Sequence, residues 1–211
     1  RALSEFILSD ETFEKKTEMY YDYSQINALL KKNNLENIIG GEIQDSLGNI
    51  LLTGATGFLG IHVLHEILEN ETGDVYCFIR GNKVLSGEER LKSLLFYYFS
   101  NDYSEMFGER LHVVEGDITN FEDFEKLVSE NIDAVVNCAA NVKHFSSGTD
   151  IEDINLGGVI NGLKFAKMKD AKYVQVSTYS IAGESINNYP PVDVKFTEND
   201  LFIGQAVNNQ Y

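Results

Sequence analysis

The run Ile50-Leu51-Leu52-Thr53-Gly54-Ala55-Thr56-Gly57-Phe58-Leu59-Gly60 carries the clearest chemistry in this 211-residue chain. An apolar stretch ends in three glycines at three-residue spacing, and a helical pattern follows. That order of parts can hold a dinucleotide pyrophosphate. Gly54 permits the tight turn, Gly57 admits backbone N–H groups close to the phosphates, and Gly60 lets the helix pack on the strand. Thr56, Phe58 and Leu59, lying between these glycines, join the expected cofactor-binding residues. The helix N-terminus adds unpaired N–H groups and a partial positive charge.

Four further segments extend this chemistry. Arg80 follows the second apolar run, with Asn82 and Lys83 close behind. An acid at that place would accept from a ribose 2′-OH, whereas a guanidinium suits a 2′-phosphate, so the expectation is NADP(H) over NAD(H). The plainer alternative is a solvated loop charge. Asp117 in Gly116-Asp117-Ile118 can accept from an adenine amino group with Ile118 against the ring, or serve as a turn residue. Small residues in Asn137-Cys138-Ala139-Ala140 leave room for the nicotinamide ribose. Val176-Ser177-Thr178 and the last residue, Tyr211, offer hydroxyls. Facing a nicotinamide, Thr178 and Tyr211 could stabilise the oxyanion that hydride attack creates, and the phenol could deliver a proton.

These residues need a scaffold that brings loop ends together, and the patterning supplies one. Strands are expected at Asn49 to Thr53, Asp74 to Ile79, Leu111 to Glu115, Asp133 to Cys138 and Tyr173 to Ser177. Between them run helical patterns. The first carries Ile61, Leu64 and Leu68 on one face. The second starts at Ser86 with a capping box to Glu89 and a stripe of Leu91, Leu94, Leu95 and Tyr98. Thr119 and Glu122 suggest another box, before a helix with Phe121, Phe124 and Val128 inward. A long helix from about Ile151 to Lys169 shows Leu156, Val159, Ile160 and Leu163 at helical spacing. Such alternation predicts an α/β fold, a Rossmann-like doubly wound parallel sheet with helices on both faces. Ligands in such sheets sit beyond the carboxyl ends of the strands.

The bulk composition narrows the function classes. A net charge of −16 argues against nucleic acid and anionic membrane surfaces as main partners. No run is long enough to span a membrane. Cys77 and Cys138 fall inside expected strands and read as buried thiols of a reducing, cytoplasmic compartment. Four scattered histidines give no metal-ligand spacing. Residues 1–46 are polar, with at most a short helix around Ser24 to Lys32, and read as a connector. The NADP-binding domain is expected over 47–211. Arg1 in place of Met reads as a fragment or a processed piece.

The glycine loop, Gly116-Asp117-Ile118, Asn137-Cys138-Ala139-Ala140, Asn155 in the long helix and Val176-Ser177-Thr178 together resemble an extended short-chain dehydrogenase/reductase. Phe58-Leu59, Arg80, the extra helix from Ser86 to about Phe99, and Phe196-Thr197-Glu198-Asn199-Asp200-Leu201 with Gly204-Gln205 before Asn209-Gln210-Tyr211 resemble its thioester reductase branch. That branch includes terminal reductase domains of nonribosomal peptide synthetases, with relatives in carboxylic acid, aminoadipate and fatty acyl-CoA reductases. The resemblance covers about residues 49 to 211.

It implies that Thr178 bonds the substrate carbonyl and Tyr211 donates the proton, as the tyrosine of a Tyr-x-x-x-Lys pair. It adds Asn155 and Ser177 to the cofactor site and makes NADPH the cofactor. A thiolation (carrier) domain would be the partner, presenting a phosphopantetheine-tethered acyl or peptidyl thioester. Reduction would release an aldehyde, in some members an alcohol. The pair's lysine and the carboxyl-terminal substrate domain would lie beyond Tyr211, so the stretch as written is expected to be inactive alone. Lys143 and His144 read as loop charges. Two rivals remain open at this point: a sugar-nucleotide epimerase or dehydratase of the same superfamily, and a non-catalytic NADP-binding module.

Overall fold

The computed structural model describes residues 23–36, 46–143, 148–183, 185–186, 196–197 and 205–206. Five parallel strands form one sheet: β1 (Ile50–Thr53), β2 (Val75–Ile79), β3 (Leu111–Glu115), β4 (Ala134–Asn137) and β5 (Lys172–Gln175). Their order is β3-β2-β1-β4-β5. The order reverses between β1 and β4, which opens a crevice at their carboxyl ends. The doubly wound Rossmann-like sheet read from the sequence is the fold observed.

The inner strands β1, β2 and β4 are short apolar runs because both faces are covered, while the edge strands β3 and β5 are partly exposed. Alternate residues serve opposite cores. Ile50, Leu52, Val75, Cys77, Ile79 and Val136 pack with Ile61, Leu64, Leu91 and Leu95, from α2 (Phe58–Asn70) and α3 (Gly87–Phe99). On the other face Leu51, Tyr76, Phe78 and Val135 pack with Phe124, Leu127, Phe165 and Ala166. Phe124 and Phe165 are fully buried, each contributing about 2–3 kcal/mol of apolar burial.

Helix α1 (Tyr23–Lys32) precedes the sheet. Helix α3 begins with the expected capping box, in which Ser86 accepts from Glu89 N–H and Glu89 accepts from Ser86 N–H. The chain divides into two compact units. One spans Ile26–Ser177 and holds the five-stranded sheet; the other includes Thr178–Gln210. In the second, β6 (Ser185–Ile186) and β7 (Gln205–Ala206) pair antiparallel. Among the described residues, no helix is long and apolar enough to cross a membrane.

Three local expectations are corrected. The segment after β3 is a 3-10 helix, Phe121–Leu127, capped by Asn120, whose side chain accepts from Glu122 N–H. Thr119 instead donates its hydroxyl to Asp117, and Val128 is exposed beyond the helix end. The long helix is composite: α4 (Asp150–Glu152), a π-helical stretch (Asp153–Gly157) and α5 (Gly158–Lys169). Its buried positions are Ile151, Gly158, Gly162, Phe165 and Ala166, while Leu156 is exposed and Val159, Ile160 and Leu163 are half-buried. The helix docks through small residues, with a β-carbon at Gly162 lying 2.9 Å from the Tyr173 ring, and this turns the larger stripe to the flank. Tyr98 is exposed rather than core, its ring 5.2 Å from His62 and 6.0 Å from Phe58.

Candidate functional site

The cleft at the carboxyl ends of the strands starts from the loop after β1. Gly54 has φ of +73°, and a β-carbon there would lie 2.6 Å from Ala139 N. Only glycine combines that dihedral with so close a neighbouring strand. A β-carbon at Gly60 would lie 2.1 Å from Gly54 O, so α2 packs backbone against backbone on the turn. At Gly57 the same test meets only Gly54 O, at 3.3 Å. Gly57 also caps α2 without any side-chain hydrogen bond. The first N–H groups of α2 therefore have neither an intrahelical acceptor nor a side-chain cap, which fits an anionic ligand such as a pyrophosphate.

Gly54, Thr56, Gly57, Arg80, Asp117, Ile118, Ala139 and Ala140 line one cleft, together with Phe78, Ile79, Arg90, Gly116, Cys138 and Ile154. Arg90 bears directly on ligand charge. Its guanidinium donates to Arg80 O at 2.8 Å and to Thr56 Oγ1 at 3.2 Å, bridging the loop after β2 to the glycine loop. Two guanidinium groups thus stand at the β2 end of the cleft. The capping box sets where α3 starts, and the burial of Leu91 and Leu95 sets its rotation. Together these turn the flank carrying Arg90 toward the glycine loop, a consequence of tertiary packing that no local pattern announces.

Asp117 lines the cleft and also makes a turn. Its Oδ1 accepts from Thr119 N–H at 2.9 Å and from Thr119 Oγ1–H at 2.8 Å. Asp117 N–H donates to Asp123 Oδ2 at 3.0 Å. That bond first, and Lys126 second, hold the Asp123 carboxyl below its ordinary pKa. Ile118 packs on Gly158 of α5.

The other wall is Cys138-Ala139-Ala140. Burial pushes the Cys138 thiol upward in pKa, and more strongly that of Cys77 in β2. Past this wall Asn155, in the π-helical stretch, grips Asn141 twice: Oδ1 accepts from Asn141 N–H at 2.7 Å and Nδ2 donates to Asn141 O at 3.1 Å. Asn155 touches the loop leading out of the cleft rather than lining the cleft. Phe58 and Leu59 are exposed in the first turn of α2, Gly60 is buried beneath it, and Ser177 is exposed beyond β5.

Thr178 caps the 3-10 turn Tyr179–Ala182 by accepting from Ser180 N–H at 3.2 Å. Lys143 pairs with Asp150 at 3.8 Å. Tyr211 and His144 lie outside the described residues. Among the described residues no group of three or more His, Cys, Asp or Glu could hold a metal.

The family described as Male sterility protein, an NAD-binding domain, matches residues 52–208. A thiolation-reductase di-domain from an archaeal non-ribosomal peptide synthetase has 44% identity and a TM-score of 0.73, over 90% of this chain and 41% of that chain. The aureusimine biosynthetic cluster reductase domain has 26% identity and a TM-score of 0.63, over 89% of this chain and 48% of that chain. A Drosophila melanogaster protein described as a fatty acyl-CoA reductase is 31% identical over 139 residues, covering 62% of this chain and 26% of that protein. The chain thus spans less than half the length of each of these relatives.

Proposed function

Since the chain belongs to the male sterility protein family of NAD-binding domains, we propose that it is the cofactor-binding part of an NADPH-dependent reductase. The reductase releases a carrier-bound acyl or peptidyl thioester as an aldehyde. The observation that carries this reading is the pair of arginines, Arg80 and Arg90, at the β2 end of the cleft, in a chain 44% identical to a thiolation-reductase di-domain. A carrier domain bearing the substrate on a phosphopantetheine arm is the partner this reading requires.

Arg80 and Arg90 hold the 2′-phosphate, with Arg90 anchored on Thr56. The N–H groups at the start of α2 hold the pyrophosphate. Ile118 flanks the adenine, while Ala139 and Ala140 leave space for the nicotinamide ribose. When bound, NADPH supplies the hydride. Thr178 and Tyr211 donate hydrogen bonds to the carbonyl oxygen as it gains charge, and Tyr211 passes on the proton. The other product is the carrier's free thiol.

The test follows NADPH consumption by the intact reductase with carrier-bound and CoA thioesters, and with a sugar nucleotide as counter-substrate. Thioester reduction is expected, and consumption of the sugar nucleotide alone would falsify the reading. Thr178→Ala and Tyr211→Phe should each slow the reaction by roughly 10²–10⁴. Arg80→Ala and Arg90→Ala should each weaken NADPH binding about 10- to 100-fold while leaving NADH binding nearly unchanged. Equal wild-type affinity for the two nucleotides would remove the 2′-phosphate role.

A further inference from the structure

Three adjacent strands carry polar side chains at one level, the only polar level of β1 and β4. Thr53 of β1 is in register with Asn137 of β4, and Asn137 with Gln175 of β5. Thr53 and Asn137 are the buried polar residues among the described ones, at 2% and 3% exposure. Burying an amide in a central strand is unfavourable unless its hydrogen bonds are made. Here they are made in series. Thr53 Oγ1 donates to Asn137 Oδ1, which also accepts from Ala139 N–H at 3.3 Å. Asn137 Nδ2 donates to Gln175 Oε1 at 2.9 Å, and Tyr173 OH donates to the same oxygen at 3.0 Å. Gln175 Nε2 donates to Val176 O at 2.7 Å.

The direction of this series is fixed at both ends. Ala139 N–H can only donate and Val176 C=O can only accept. Neither amide can therefore turn over without setting donor against donor or acceptor against acceptor. One end is a wall of the dinucleotide cleft. The other is the peptide that leads through Ser177 into Thr178. Gln175 is exposed, so apolar packing does not account for its place in the series.

We propose that Gln175 is a positioning residue for the reduction, setting the Val176–Ser177 peptide from the same hydrogen-bonded series that sets Ala139 in the cleft wall. The inference rests on the reductase reading above. An apolar side chain of the same length, as in Gln175→Met, removes the side-chain links from Asn137 and to Val176 O, while the backbone ladder and the bond from Val176 N–H to Asn137 O remain. A carboxylate, as in Gln175→Glu, keeps the two accepted bonds but faces Val176 O with a second acceptor. Once protonated, its O–H can donate there again.

The experiment uses the intact reductase, a thioester substrate and NADPH. Gln175→Met should lower kcat about tenfold, with NADPH affinity close to wild type and Tm lower by roughly a few degrees, since the buried Asn137 amide loses its acceptor. Gln175→Glu should be similarly slow at pH 8, and its rate relative to wild type should recover as the pH falls toward 5. A wild-type kcat in Gln175→Met overturns the inference. So does a kcat loss matched by an equal loss of NADPH affinity, or a Gln175→Glu ratio flat with pH. Asn137→Leu, read by NADPH titration alone, should bind about tenfold more weakly through the freed Ala139 wall. Unchanged binding there overturns the inference too, by a readout that needs no turnover. A wild-type enzyme that reduces no thioester sinks the reductase reading separately.

Discussion

Helix α2 ends in two different ways. At its carboxyl end, by the amino-terminal edge of the sheet, Arg110 gathers the loose carbonyls. Its guanidinium donates to Leu68 O at 2.8 Å, Gly73 O at 3.0 Å, Ile67 O at 3.2 Å and also to Glu71 O. Beside it Asn49 accepts from Asp74 N–H at 2.9 Å, while its own amide donates to Asn131 O and its N–H to Asp133. At the other end, Gly57 is the cap residue and offers no side chain, so the first turn of α2 has no side-chain cap hydrogen bond. At one edge of the sheet the chain meets these helix-end and loop groups itself, with His112 Nε2 there buried and without a hydrogen-bond partner among the described residues, and at the other edge it presents donors. Orphan helix termini must be met by something. Where protein groups meet them the fold is fastened, and where none is supplied a ligand is recognised. Changes at the two edges should therefore separate into losses of stability and losses of binding.

The largest effect is expected from Gly60→Ala. The new methyl would sit 2.1 Å from Gly54 O and 2.7 Å from Gly54 C, and backbone cannot step aside as a flexible side chain can. The turn must open, at a cost of about 3 kcal/mol or more in stability. NADPH binding should fall at least about 100-fold even in protein that remains folded. NADPH titration of the folded variant, checked by circular dichroism, makes the measurement. Affinity within twofold of wild type would erase the distinction between the two edges.

Arg110→Met comes next and tests the opposite edge. Methionine keeps much of the apolar stem but takes the guanidinium from the Leu68, Glu71 and Gly73 carbonyls, while Ile67 O keeps the Glu71 N–H at 2.9 Å. Loss of charged hydrogen bonds at a helix carboxyl end should cost about 2–3 kcal/mol in urea unfolding. NADPH affinity of the folded protein should stay within about twofold of wild type. If affinity drops while the unfolding midpoint holds, Arg110 acts on the cleft and the comparison fails.

Sequence and structure agree where a feature is local. The strand cores, the capping box of α3 and the glycine loop depend on neighbours within a few residues, and these are legible. The cap after β3 is not, because Thr119 and Asn120 are both competent caps, and the choice turns on Asp117 claiming the Thr119 hydroxyl. The buried face of the long helix is hidden because it docks through glycines, which carry no hydropathy signal. Arg90 escapes local reading since its role requires α3 to lie against the glycine loop, thirty-four residues away in sequence. The Thr53–Asn137–Gln175 series spans three strands and shows itself only once their register is known.

The smallest predicted effect is a titration at the fastened edge. Tyr76 OH donates to Glu130 Oε2 at 3.0 Å, and its ring stacks on His112 with centroids 4.7 Å apart. Burial first, then the bond to Glu130 and the negative charges of Glu130 and Asp74, raise its pKa from 10.0 to about 12. The neutral phenol is thus favoured by the fold. Below pH 10 it is neutral in folded and unfolded chains alike, and its contribution is complete. Between pH 10 and about 12 the unfolded chain releases the proton while the folded chain keeps it, so stability falls as pH rises. Tyr103 and Tyr173 are raised too and add to the same slope. Tyr76→Phe should lose about 1 kcal/mol at pH 8, from the missing hydrogen bond. It should also fall less steeply than wild type when urea unfolding is repeated at pH 10 and 11. Parallel slopes for the two proteins would mean that Tyr76 titrates as it does in the unfolded chain and does not help fasten this edge.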